Sequence, residues 1–161
     1  NEDVVIRMTK TLGQWRGALA VLVLAAGCGD SLVGPEDTNF AASLGINLSQ
    51  MTKTSSGLYF QDVTVGTGAT ATAGKRVSVH YIGWLADGTQ FDANQPPTAP
   101  FPVTLGDGSV IPGFDEGLRD MKVGGRRKIV IPSQLGYGAR GQGPIPPNAV
   151  LVFQLDVAAV Q

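Results

Sequence analysis

Between Arg76 and Arg119 the chain has neither Lys nor Arg, while Tyr81, Trp84, Phe91, Phe101 and Phe114 all fall inside that stretch. Aromatic side chains at this density can build the floor and walls of an apolar pocket, with Tyr137 joining from further along the chain. Such a pocket has no cation with which to neutralise a phosphate. Asp87 and Asp92 offer a different chemistry, since two carboxylates can flank a glycosidic bond as acid and base. Five residues apart across an Asp87-Gly88 turn, they read as readily as one turn acid and one pocket-rim acid. His80 is the single histidine, so no second imidazole completes a metal site; the expectation is no metal, no cofactor and a structural role on the sheet. No P-loop, CxxC or GxSxG motif occurs. A net charge of -1 argues against nucleic acid as a partner. The basic run Arg126-Arg127-Lys128 reads as strand-edge solvation or a contact with acidic lipid headgroups.

The elements that must position these side chains follow from periodicity. Alternation marks strands at Leu58, Phe60 and Val63, at Val77, Val79, Tyr81 and Trp84, at Lys128 to Ile131, and at Val150 to Val157. Asp87-Gly88 favours a tight reversal, and Gly66, Gly68 and Gly74 bracket a loop. One segment reads as a helix, Phe114 to Met121, with Phe114, Leu118 and Met121 on one face and Pro112-Gly113 at its start. The expected architecture is α+β, an antiparallel sheet of five to six strands wrapped around one short helix, formed by residues 57–161.

Residues 1–28 stand apart from that domain. Lys10 and Arg16 precede an apolar run from Gly17 to Ala26, and small residues lead into the lone Cys28. The run is shorter than the roughly 20 residues a membrane-spanning helix needs, so it reads as a cleaved signal. The order resembles a bacterial lipoprotein signal, which implies lipidation of Cys28 and a membrane anchor in the cell envelope. Leu24 lies four residues before the Cys, where that signal usually has Leu at three. Gly29 follows the Cys and Asp30 comes one later, an order that leans to the outer membrane. Residues 1–7 place Glu2 and Asp3 ahead of a segment that should be positive, and the reading starts translation at Met8. One Cys cannot form an internal disulfide, so the domain depends on its core. Residues 29–56, rich in small and polar groups, are expected to be a flexible tether, with only a weak helical pattern from Phe40 to Leu48.

The set HYIGWLADGTQFD, PFPVTLG, VIPGFDEGL, YGARG and IPPNAVLVFQLDV resembles the FKBP family of peptidyl-prolyl cis-trans isomerases over the whole of 57–161. The resemblance implies an isomerase acting on proline-containing polypeptides. It places Tyr81, Asp92, Phe101, Ile111, Phe114 and Tyr137 in the catalytic pocket and Phe91, Val110, Ile145 and Phe153 in its substrate-binding wall. In that family the residues matching Tyr137 and Ile111 donate a hydroxyl and a backbone N–H to substrate carbonyls, and the one matching Asp92 pairs with the first tyrosine. Macrolides of the FK506 and rapamycin type are implied as inhibitors, and the monomer as the working form. Phe114 stands where the best-known members have Trp, which keeps an apolar floor but shrinks it and removes an indole N–H. The loop after Tyr137 is one residue shorter, with Gln142 where His is common, and no Arg follows Asp92. Together the two resemblances imply an isomerase held in the envelope and facing the periplasm, assisting the folding of exported proteins. The alternative is a binding module that grips proline segments in the same groove without turnover.

Overall fold

Seven strands and one helix, described in a computed structural model that covers residues 34–161, form one antiparallel sheet wrapped over the helix. The strands are β1 (Thr52–Lys53), β2 (Tyr59–Thr64), β3 (Arg76–Leu85), β4 (Gln90–Asn94), β5 (Phe101–Thr104), β6 (Arg126–Ile131) and β7 (Leu151–Val160); the helix is α1 (Pro112–Leu118). Their order across the sheet is β1-β2-β6-β7-β3-β4. β4 pairs with Tyr81–Trp84 and β5 with Arg76–Val79, so the two occupy successive halves of one edge of β3. The α+β class agrees with the sequence, and the strand count is seven where five to six are expected. β1 and β4 are mostly polar, and β5 contains Pro102, which lacks the N–H a central strand needs and is accommodated because β5 lies at the edge.

Period-two alternation sends Val77 and Val79 of β3, Ile129 and Ile131 of β6, and Leu151, Phe153 and Leu155 of β7 onto one face, where they are buried against α1. The helix approaches that face closely because Gly113 and Gly117, four residues apart, both face it. A Cβ on Gly117 would sit 2.6 Å from Ile129 Cδ1, and one on Gly113 would run into Ile131. Pro112 opens α1 with its φ already helical and no donor to leave unsatisfied. The helix ends at Leu118 and not at Met121. Arg119 is extended and Asp120 takes a φ of 62°, so Met121 reaches the core from a loop.

Arg127 departs from its expected place in solvent. It shares the inner face of β6 with Ile129 and Ile131, which aims it at the end of α1. Its Nη1 donates to the carbonyls of Gly117 (3.1 Å) and Arg119 (3.0 Å), and its Nε and Nη2 donate to Asp62 (2.6 and 3.1 Å). The guanidinium carbon lies 4.6 Å from the centre of the Phe60 ring. A cation is favourable at a helix C-terminus, and here it ties α1 to β6 and β2 at once. Its neighbours are engaged too: Arg126 pairs with Asp156 at 2.6 Å and Lys128 Nζ donates to the Leu44 carbonyl at 2.6 Å.

The tether reading of 29–56 is corrected over its described part. Three short 3-10 turns, Pro35–Asp37, Ala42–Leu44 and Leu48–Gln50, carry the chain across the outer face of the sheet. Leu44 is buried there with Tyr59, Val130, Val150 and Val152, and Phe40, Ile46, Leu48, Met51 and Trp84 pack around them. Ala41 N–H donates to the Ala86 carbonyl at 2.8 Å, and the carboxylate of Glu36 accepts from the Tyr59 hydroxyl at 2.7 Å while pairing with Lys53. The physical cause is the apolar outer row Val130, Val152 and Trp84, which water would otherwise meet; burying a leucine against such a surface stabilises by roughly 1.5–3 kcal/mol.

Candidate active site

Phe114 is the second residue after Pro112, so the helix that Gly113 and Gly117 press against the sheet presents its ring to the concave side. Four more rings close around it edge to face. Tyr81 meets Phe114 at a centroid distance of 5.5 Å and Phe101 at 5.9 Å; Phe153 meets Phe114 at 5.3 Å and Phe91 at 5.4 Å. Interplanar angles of 77° to 86° place ring edges on ring faces, the arrangement aromatic quadrupoles favour. Gly83, opposite Phe153 on β3, makes room for this: a Cβ there would lie 2.7 Å from both Phe153 and Phe91.

All of these rings but Phe91 line a cavity of about 460 Å³. Its wall on one side is the loop before α1, with Gly108, Ser109, Val110 and Ile111. That loop is held by Asp115, whose Oδ1 accepts from Gly106 N–H at 2.6 Å and whose Oδ2 is gripped by Arg119. On the other side stand Tyr137 and Gln142. Gln142 is fixed by a tight hairpin in which it and Ile145 exchange backbone hydrogen bonds of 2.9 Å. Two donors at the lip are unengaged. Neither the N–H of Ile111 nor the hydroxyl of Tyr137 bonds to another described residue. The Tyr81 hydroxyl, in contrast, donates to Asp92 Oδ2 at 2.8 Å, and Asp92 Oδ1 accepts from Ala93 N–H at 2.8 Å. Burial pushes the Tyr81 phenol up, reinforced by the hydrogen bond to Asp92. Burial also raises the Tyr137 phenol, with a smaller push from the charge of Asp92. Both hydroxyls therefore stay protonated around neutrality.

Of the side chains singled out by sequence, Tyr81, Asp92, Phe101, Val110, Ile111, Phe114, Tyr137 and Phe153 line this cavity. Phe91 and Ile145 do not: Phe91 backs Phe153 from behind, and Ile145, 6% exposed, packs into the core beneath the loop. Gly108 and Ser109 are lining residues that sequence reading passed over, their only signal being their place two and one residues before Val110. Gln142, noted in sequence as a departure, is part of the wall. The carboxylate-pair reading fails, because Asp87 sits in the hairpin turn, accepting from Thr89 N–H at 2.8 Å, outside the cavity. Those hydrogen bonds hold its carboxyl below the usual carboxylate range. His80 is also outside, its Nδ1 sharing a hydrogen bond of 3.0 Å with Asn94 Oδ1. The cavity thus offers no general base beside a nucleophile. It offers aromatic walls, one carboxylate already engaged by Tyr81, and free donors that include the Ile111 N–H and the Tyr137 hydroxyl.

An antiparallel sheet folded over one short helix, with an aromatic cavity at the helix, defines the FKBP-type class. The family model described as FKBP-type peptidyl-prolyl cis-trans isomerase matches residues 68–158. An FK506-binding protein of Neisseria meningitidis serogroup B is 49% identical over 105 residues, covering 65% of this chain and 96% of the relative. Among solved structures, FkpA from Escherichia coli is similar at a TM-score of 0.64 and 41% identity, covering 70% of this chain and 52% of that one. The peptidyl-prolyl cis-trans isomerase from Pseudomonas syringae pv. tomato is similar at 0.64 and 36%, covering 74% and 86%. The chain belongs to the FKBP-type peptidyl-prolyl cis-trans isomerase family and is an isomerase of that type.

Proposed function

We propose that this protein speeds Xaa-Pro isomerisation during the folding of exported polypeptides, taking the proline into the aromatic cavity. The barrier of about 18–20 kcal/mol reflects lost amide resonance, and no proton transfer or nucleophile is required to lower it. The planar amide is more polar than the twisted one, so a water-excluding apolar pocket destabilises the conjugated state relative to the transition state. Phe114 is the floor and Tyr81, Phe101 and Phe153 the walls. The Ile111 N–H and the Tyr137 hydroxyl hold the carbonyls on either side of the twisting bond, and Asp92 orients Tyr81. The observation that carries this reading is that the unengaged Ile111 N–H and Tyr137 hydroxyl border a cavity floored by Phe114 and flanked by Tyr81, Phe101 and Phe153. The family membership extends the same pocket to macrolides of the FK506 type as ligands. The expected result for Tyr137→Phe is a rise in KM of about two- to tenfold with kcat little changed, the size of one neutral hydrogen bond. Phe114→Ala, confirmed folded, should lower kcat/KM further, and Asp92→Asn should matter least. Wild-type turnover in both Tyr137→Phe and Phe114→Ala would overturn the assignment.

The exported setting rests on the order of residues 8–28, which lie outside the described residues. In this reading Cys28 is lipidated, the domain faces the periplasm as a monomer, and Gly29 at the position after the Cys favours the outer membrane. Metabolic labelling with a radioactive fatty acid tests it: label should enter the wild-type protein and be lost in Cys28→Ala. Equal label, or none in the wild type, would remove the anchor from the account.

A further inference from the structure

A second cavity of about 540 Å³ opens beside the first and shares two wall residues with it, Gly108 and Val110. It is also lined by Ser55, Ser56 and Pro112, by Asp115 and Glu116 of α1, and by Arg119 just past its end. These groups are already held in place. Arg119 donates to Asp115 through Nη2 at 2.7 Å and Nε at 3.0 Å, which neutralises the buried acid. The Ser56 hydroxyl lies 2.8 Å from each oxygen of Glu116, anchoring the carboxylate across 60 residues of sequence. A hydroxyl fixes that carboxylate but leaves its charge, and among the described residues no cation forms an ion pair with it. Arg119, the cation of the same groove, is engaged by Asp115 and also feels the charge of Glu116, so the groove carries one net negative charge, positioned at Glu116.

Gly108 and Val110 border both cavities, so a chain seated in the first passes beside the second, each residue adding at most about 3.3–3.6 Å to its reach. We propose that this groove is a subsite for the residues flanking the bound proline, and that Glu116 selects a Lys or Arg two or three positions from it. The occupant is the same substrate chain, and the inference rests on reading the first cavity as the proline site. Ser55 and Ser56 belong to the segment that leads from the outer-face strap into β2, which gives that segment a share in substrate choice.

The test is protease-coupled isomerisation of a short Xaa-Pro-Phe peptide and of the same core extended by three residues on either side, with Lys, Ala or Glu at the second and third positions. The expected result is a Lys-over-Glu preference in kcat/KM of about two- to fivefold on one side of the proline, the size of a half-exposed ion pair, shrinking as salt is raised. In Glu116→Gln, which keeps an acceptor for Ser56, the preference should fall to near unity. Equal rates for Lys and Glu extensions on both sides in the wild type would overturn the proposal, as would a preference that survives in Glu116→Gln. The short peptide separates the two readings. Acceleration of the short peptide without charge preference removes the subsite alone, whereas no acceleration of any peptide removes the isomerase assignment and the subsite with it.

Discussion

Gly83→Ala sets intrinsic strand preference against packing, and the two give opposite signs. Gly is less favourable than Ala in a strand interior by roughly 0.5–1 kcal/mol, so on backbone grounds alone the substitution stabilises. The added methyl, however, would lie 2.7 Å from Phe153 Cε1 and 2.7 Å from Phe91 Cζ. Carbon pairs rest at about 3.5–4.0 Å, so each ring must retreat by close to 1 Å. Phe91 is half-buried and can yield outward. Phe153 is 4% exposed and locked by edge contacts to Phe114 and Phe91 and a tilted contact to Tyr81, so its displacement disturbs the cavity wall. Overpacking of this kind costs about 1–3 kcal/mol, which outweighs the backbone gain. Urea unfolding should therefore show a lower midpoint at unchanged m. Because a shift of about 1 Å in a positioning group can lower turnover by as much as 100-fold, kcat/KM should fall at least tenfold. A variant as stable as the wild type or more so, with full activity, would refute the view that Gly83 is there to admit the two rings.

Two further outcomes test the segment before β2. Leu44→Ala should destabilise the protein by about 2–3 kcal/mol, measured by denaturant unfolding; a change below about 0.5 kcal/mol would return the segment to the status of a tether. The hydrogen bonds of Lys53 and then Tyr59 to Glu36 lower its pKa from an ordinary 4.5 to about 2. A depressed carboxyl contributes stability that is present above its unfolded value and lost as pH falls through the folded one. The stability difference between wild type and Glu36→Gln, under about 1 kcal/mol for so exposed a pair, should hold at pH 6 and vanish between pH 4.5 and 2; a difference independent of pH would contradict it.

What the sequence made legible was what repeats. β3, β6 and β7 alternate cleanly because one face of each is core, and α1 announces itself through Pro112 and the spacing of Phe114 and Leu118. The pocket residues were legible through resemblance, and the cavity gathers most of them; Ile145 was misplaced because an apolar residue beside a pocket can face the core beneath it. β4 and β5 were hidden by polar residues and Pro102, which an edge strand tolerates. Arg127 was hidden by its charged neighbours, although its register with Ile129 and Ile131 places it on the inner face. The strap escaped because its apolar residues fit two patterns at once, Phe40, Leu44 and Leu48 four apart and Leu44, Ile46 and Leu48 two apart, and the chain there takes 3-10 turns and loops that follow neither.

Phe101 offers the most direct test of the central claim, because it is 38% exposed, lies at the cavity rim against Tyr81, and contributes little to the core. The measurement is protease-coupled isomerisation of a short Xaa-Pro-Phe peptide by the purified wild-type protein and by Phe101→Ala, with unfolding followed on both. The expected result is clear acceleration by the wild type of a step that otherwise takes tens to hundreds of seconds, and its near loss in Phe101→Ala at almost unchanged stability. Full acceleration by a folded Phe101→Ala, or none by the wild type, would contradict the assignment of this cavity as the site of proline isomerisation.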